Sequence, residues 1–189
     1  MNLRPLAISC QSVFFFVSLV AADEINYQVQ TTASGSLNGV QFNNELVTIS
    51  AVGDTDNVET NGAVNLLLTD IEVSVEINGL GSANFVDAIQ AVSNNNTQLG
   101  GFGNTSTATG VLFVNDPVFG TYDLRSELGP VKALTFINSA THATDAGNLF
   151  LSAATVQGTF EATFTAIPEP STAAVALLLF SGLVTRRRN

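Results

Sequence analysis

Two segments of the chain alternate apolar and polar residues strictly. In Ile71-Glu72-Val73-Ser74-Val75-Glu76-Ile77 four β-branched apolar residues fall on one face and two glutamates on the other. In 159–166 Phe160, Ala162, Phe164 and Ala166 alternate with Thr159, Glu161, Thr163 and Thr165. A period of two is that of a half-buried strand. Short apolar runs at Val111–Val114, Val131–Ile137 and Leu149–Val156, bounded by Gly, Asn or Asp, extend the pattern. Asn38-Gly39, Asn61-Gly62 and Asn78-Gly79 supply the positive dihedrals of tight hairpin turns. No stretch between 23 and 166 carries a capped 3.6-residue stripe; Phe85–Val92 fits a short helix or a strand equally well. Ser93–Gly110, with Asn94-Asn95-Asn96-Thr97 and Gly100-Gly101-Phe102-Gly103-Asn104-Thr105, has no apolar period and reads as a long exposed loop. The expected fold is all-β, an antiparallel β-sandwich with jelly-roll-like topology.

Both ends of the chain break this pattern. Arg4 precedes an apolar core, Ser12–Val20, and Ala21-Ala22 supplies small residues before Asp23. This reads as a signal peptide, residues 1–22, for Sec export and cleavage by signal peptidase between Ala22 and Asp23. At the other end stand Pro168-Glu169-Pro170, the apolar run Ala173–Val184 and the basic cluster Arg186, Arg187, Arg188. The prolines stiffen an extended linker around Glu169. Ser171–Thr185 as a helix is roughly 22 Å long, short for a bilayer core of about 30 Å. The arginines can snorkel to lengthen it and should remain cytoplasmic.

This order of motif, short transmembrane helix and arginines resembles the C-terminal sorting signal of the PEP-CTERM surface proteins of Gram-negative bacteria. The resemblance covers residues 167–189. It implies an exosortase-type processing enzyme as partner, transient anchoring in the inner membrane, and a final place at the cell surface or in the extracellular matrix. The expected organisation is therefore a signal peptide at 1–22, a β-sandwich domain at 23–166 and a sorting signal at 167–189. Asp116-Pro117-Val118-Phe119-Gly120-Thr121-Tyr122-Asp123-Leu124 also resembles a stretch of uncharacterised members, which implies no activity.

Charge narrows the classes of partner. Between 23 and 166 the only cations are Arg125 and Lys132, against 15 carboxylates. Such a domain repels nucleic acid and stays soluble after export. Cys10, the single cysteine, lies inside the signal peptide, so the exported part has no disulfide, thiol nucleophile or thiolate ligand.

Candidate chemistry is sparse. His142 is the only histidine, with Asp145 three residues on, and no Gly-x-Ser-x-Gly accompanies it. It reads as an exposed loop histidine, and the chain as a non-enzyme without a resident cofactor. Asn95 and Asn104 begin Asn-x-Thr/Ser triplets, which carry little weight in a bacterium. Calcium is the one plausible ligand, at Asp54, Asp56 and Glu59, hard oxygen donors close together in a loop. Sugar platforms favour aromatics with a polar handle, and the chain has no Trp and only Tyr27 and Tyr122. The expected role is structural or adhesive, in an extracellular polysaccharide layer. The alternatives are a calcium-dependent glycan-binding module and a secreted glycan-active enzyme working with two facing carboxylates.

Overall fold

Alternation of buried and half-exposed side chains runs without interruption through the first strand. In β1 (Glu24–Leu37) Ile25, Tyr27, Val29, Thr31, Ala33 and Leu37 are buried, while Asn26, Gln28, Gln30 and Thr32 face outward. The computed structural model describes residues 24–67, 71–104, 107 and 109–165. The expected signal peptide 1–22 and its expected cleavage position Ala22/Asp23, Pro168-Glu169-Pro170, the apolar run and Arg186–Arg188 lie outside the described residues. No helix among the described residues is long and apolar enough to cross a membrane.

Asn38-Gly39 turns β1 back into β2 (Val40–Asp54), with φ of 49° and 81° at the two turn residues. These positive angles suit a turn whose twist matches its strands. A 3-10 turn at Thr55–Asn57 leads to β3 (Val58–Asn61), and Gly62-Ala63 turns that into β4 (Val64–Leu67). Then come β5 (Val73–Ile77), the Asn78-Gly79 turn and β6 (Gly81–Asn84). A hairpin follows at each of the three Asn-Gly pairs, but only Asn38-Gly39 has positive φ at both residues; at the other two the glycine alone does, and Asn61 is the last paired residue of β3. The alternating segment 71–77 forms a strand from Val73, with Val73, Val75 and Ile77 buried and Glu76 exposed; Glu72 is exposed just before it.

The second half holds β7 (Gln90–Asn94), β8 (Leu99–Asn104), β9 (Thr109–Asn115), a 3-10 turn at Pro117–Gly120, β10 (Leu128–Ile137), β11 (Thr141–Thr144) and β12 (Gly147–Phe164). The two segments expected near 149–156 and 159–166 are one strand. Gly158 lets it pass close to its neighbours: a Cβ there would meet the Gln30 carbonyl oxygen and the Thr135 hydroxyl, each at 2.8 Å. Phe85–Val92 forms no helix; Phe85 makes a bridge to Thr144, and the strand starts only at Gln90.

The expected long loop at 93–110 instead holds all of β8 together with the end of β7 and the start of β9. Gly100, Gly101, Phe102 and Gly103 are all buried in β8. Their partners explain why the apolar period is missing from the sequence. A Cβ on Gly100 would fall 2.0 Å from the Phe119 ring, and Cβ atoms on Gly101, Gly103 and Gly110 would fall 2.6–3.0 Å from the Phe113 ring. The strand contributes space, and neighbouring rings fill it.

Hydrogen bonds join these strands into one antiparallel sheet in the order β3-β4-β7-β8-β9-β10-β12-β1-β2-β5-β6, with β11 on β12. The sheet curls so that the inner face of β1 meets β8 and β9. The far edge closes against β11. Val86 N–H donates to the Ala143 carbonyl, Asp145 N–H to the Asn84 carbonyl, and Ala143 N–H to the Asp87 carboxylate at 2.8 Å.

Inside the curl, Phe119, Tyr122 and Phe160 pack edge to face with centroids 5.2–6.2 Å apart. Phe119 and Tyr122 come from the segment between β9 and β10, which folds inward as a plug. Side-chain hydrogen bonds in both directions tie it to the walls. The Tyr122 carbonyl accepts from Asn65 Nδ2 and Ser93 Oγ, the Gly120 carbonyl from Asn95 Nδ2, and the Val58 carbonyl from Arg125 Nη2. Thus Asn95, the first of the two Asn-x-Thr/Ser positions, has its amide tied into the fold.

Candidate functional site

The face of the sheet that turns away from the core is ordered by strand register. Lys132, Thr159, Gln30, Thr48, Glu76 and Ser82 stand opposite one another across β10, β12, β1, β2, β5 and β6. The next row is Glu161, Gln28, Ser50, Ser74 and Asn84. Neighbouring strands lie about 4.8 Å apart, so the first row is roughly 24 Å long. The rows sit about 6.7 Å apart along the strands.

Direct side-chain bonds tie this carpet together. Gln30 Nε2 donates to Gln28 Oε1 at 3.1 Å, and the Ser50 and Ser74 hydroxyls are 3.1 Å apart. Two shallow depressions flank the rows. One, of about 320 Å³, is lined by Asn26, Ser50, Glu72, Ser74 and Asn84. The other, of about 270 Å³, is lined by Gln30, Thr32, Leu46, Lys132, Gln157 and Thr159. The chemistry on offer is that of amides and hydroxyls, which both donate and accept hydrogen bonds.

Beyond Lys132 the outward positions of β10 turn apolar: Leu134 and Phe136 are about half exposed. Phe136 pairs in register with Phe113 on β9, whose ring lies over the glycines of β8. Tyr27 and Tyr122, the two aromatics with a polar handle, are buried instead.

The structure does not gather the expected calcium ligands. Asp54 ends β2, and its carboxylate accepts from Asp56 N–H at 2.8 Å as the N-cap of the 3-10 turn. Asp56 and Glu59 are exposed, Glu59 on β3. Among the described residues no three His, Cys, Asp or Glu side chains form a metal-holding group. Closeness in sequence is spent here on capping a turn.

His142 is also placed differently from expectation. It is 3% exposed on β11, where the Phe85–Asp87 segment folds across it. Its Nδ1 is 3.9 Å from Asp87 Oδ2, the Phe85 ring meets it edge-on, and among the described residues Nε2 makes no hydrogen bond of good geometry. Burial lowers its pKa from 6.5, opposed by the Asp87 charge and the nearby Gly110 backbone. Asp145 faces elsewhere, accepting from Asn84 N–H and Asn84 Nδ2 at 2.9 and 3.2 Å. His142 and Asp145 therefore make no catalytic pair.

No protein-family model matches the chain, and neither a curated protein nor a solved structure is significantly similar to it. The outer carpet was not marked in the sequence because its members are ordinary strand-surface residues. The only signal was the neutral polar alternation of Asn26, Gln28, Gln30 and Thr32.

Proposed function

We propose that this chain is an exported protein of the bacterial cell surface or extracellular matrix, sorted by an exosortase-type enzyme and serving a structural or adhesive role in a polysaccharide layer. The observation that carries the reading is the order of Pro168-Glu169-Pro170, the apolar run Ala173–Val184 and Arg186–Arg188 at one end, with the Arg4–Ala22 leader at the other. An apolar segment this short, followed by three cations, serves better as a handle for a membrane protease than as a permanent anchor. We further read the curled sheet as a two-layer, jelly-roll-like sandwich. The contact of β1 with β8 and β9 across the core supports this.

The surplus of carboxylates suits an exported domain that must remain soluble without disulfides. The reading assigns the protein no chemical step. Its binding capacity would lie in surface amides and hydroxyls, which match the hydroxyl groups of a glycan.

The test is the fate of Glu169→Ala in the native host. Wild type should be recovered outside the inner membrane without Arg186–Arg188. The variant should remain in the membrane fraction with its C-terminus intact. A variant that matures and leaves the membrane like wild type would overturn the sorting reading.

A further inference from the structure

We infer that the outer carpet of β12, β1, β2 and β5, centred on Gln28, Gln30, Thr48, Ser50, Ser74 and Thr159, is a contact surface for an uncharged polysaccharide chain lying across the strands. The inference rests on the surface-layer reading and names the site and ligand class within it.

The first argument is where the charges are not. Between 23 and 166 the chain carries 15 carboxylates and two cations. A face kept soluble merely by hydration is normally strewn with such charges. Here the middle of both rows is neutral, and charge sits at the margins: Lys132 and Glu76 toward the ends of one row, Glu161 at the end of the other.

The second argument is the kind of contact the face permits. A protein partner is usually held by buried aromatic or aliphatic anchors. The six central residues include none: the exposed apolar side chains of this face, Leu46 and Val52 on opposite sides of the rows on β2 and Leu134 and Phe136 on β10, lie outside the two rows, and Lys132 is the only cation in either row. A polyanionic glycan would meet the domain's net charge of about −13, Lys132 included. A neutral glycan meets no such repulsion, and its hydroxyls can exchange hydrogen bonds with amides and hydroxyls in both directions.

Shape gives the third argument. The four strands of the site span about 14 Å within a row some 24 Å long, with shallow depressions on the flanks and not a closed pocket. The face therefore fits a polymer better than a single sugar. Half-exposed Leu134 and Phe136 on β10 extend the surface with apolar area on which the C–H face of a sugar ring can rest. Each contact is weak, and many copies in one matrix would hold a polymer by multivalency.

The experiment is affinity gel electrophoresis of the full chain in an uncharged, sugar-free detergent. The gels contain hydroxyethylcellulose, dextran or galactomannan as neutral probes and alginate as the anionic one. Wild type should be retarded by at least one neutral probe and not by alginate. Gln28→Ala/Gln30→Ala should bind that probe about tenfold more weakly, as expected for losing two amide contacts. Thr48→Lys, which places a solvated charge mid-row, should do the same, and Glu59→Gln on β3 should bind as wild type does. A thermal melt of each variant shows that the fold is kept; two carpet variants are used so that the loss of one does not end the test.

The inference is overturned if no neutral probe retards wild type, if a folded carpet variant binds like wild type, or if alginate binds better. Fractionation of the same strain reads the sorting proposal separately. A protein found at the surface that ignores every neutral glycan would sink this inference alone.

Discussion

The hydroxyl of Tyr27 donates to the backbone carbonyl of Leu124, 97 residues further along the chain. Both residues are fully buried, and Leu124 holds a positive φ of 63°. The bond ties the first strand of the sheet to the inward-folded segment that plugs the core. Burial raises the pKa of Tyr27 far above that of a free phenol, so the hydroxyl stays a donor throughout the accessible pH range. Tyr27→Phe should keep the ring and strand the Leu124 carbonyl. The expected cost is about 1–3 kcal/mol, read as a lower denaturation midpoint with unchanged slope. A midpoint equal to wild type would mean the plug is held by its aromatic packing alone.

Gly100 offers a second test, because its missing side chain is occupied by the Phe119 ring. A Cβ at Gly100 would sit 2.0–2.5 Å from three atoms of that ring, which itself packs on Phe160. Gly100→Ala should therefore destabilise by about 1–3 kcal/mol, through overpacking. Gly129→Ala meets no atom of the described residues within 4 Å and should melt close to wild type. Equal melting temperatures for the two variants would mean that β8 does not pass under Phe119.

These two sites explain what could and could not be read from the chain. The all-β antiparallel class, the Asn-Gly turns and the strand at Val73–Ile77 follow from local pattern, since each is fixed by residues adjacent in sequence. β1 was hidden because its inward positions include Thr31, Ala33 and Gly35, which are too small or too polar to mark a stripe. β8 was hidden because its packing comes from Phe113 and Phe119, far from the glycines that receive them. The outer carpet needed the register of six strands before its rows existed. Asp54, Asp56 and Glu59 are close in sequence but form no metal-holding group among the described residues, and Asp54 caps a turn.

Strand ends also escape a simple alternation rule, as Phe160 and Phe164 demonstrate. They share one face of β12, and the pattern alone makes both core. Phe160 is fully buried among Phe119 and Tyr122, whereas Phe164 is 42% exposed where the strand runs out. Phe160→Ala should cost about 3–5 kcal/mol and Phe164→Ala about 1 kcal/mol or less. Urea titrations of both variants decide the matter. A Phe164→Ala cost matching that of Phe160→Ala would place Phe164 inside the core.

The pH dependence of stability should run through His142. Burial is the main cause of its lowered pKa; Asp87 and the Gly110 backbone only partly oppose it. The folded chain thus prefers neutral imidazole, while the unfolded chain takes up a proton at the ordinary value of 6.5. Stability from this residue is complete above 6.5 and is lost as pH falls below it, by at most about 1.4 kcal/mol per pH unit for one proton. The seam around it suffers first, because Val86 and Asp87 bond to Ala143 beside the ring. The carboxylates Asp87 and Asp145 at this seam are common to wild type and variant. His142→Gln removes the titration, so its melting temperature should fall less than that of wild type between pH 7 and 5. Parallel curves for the two proteins over that interval would show that the imidazole takes up its proton equally well in the folded chain.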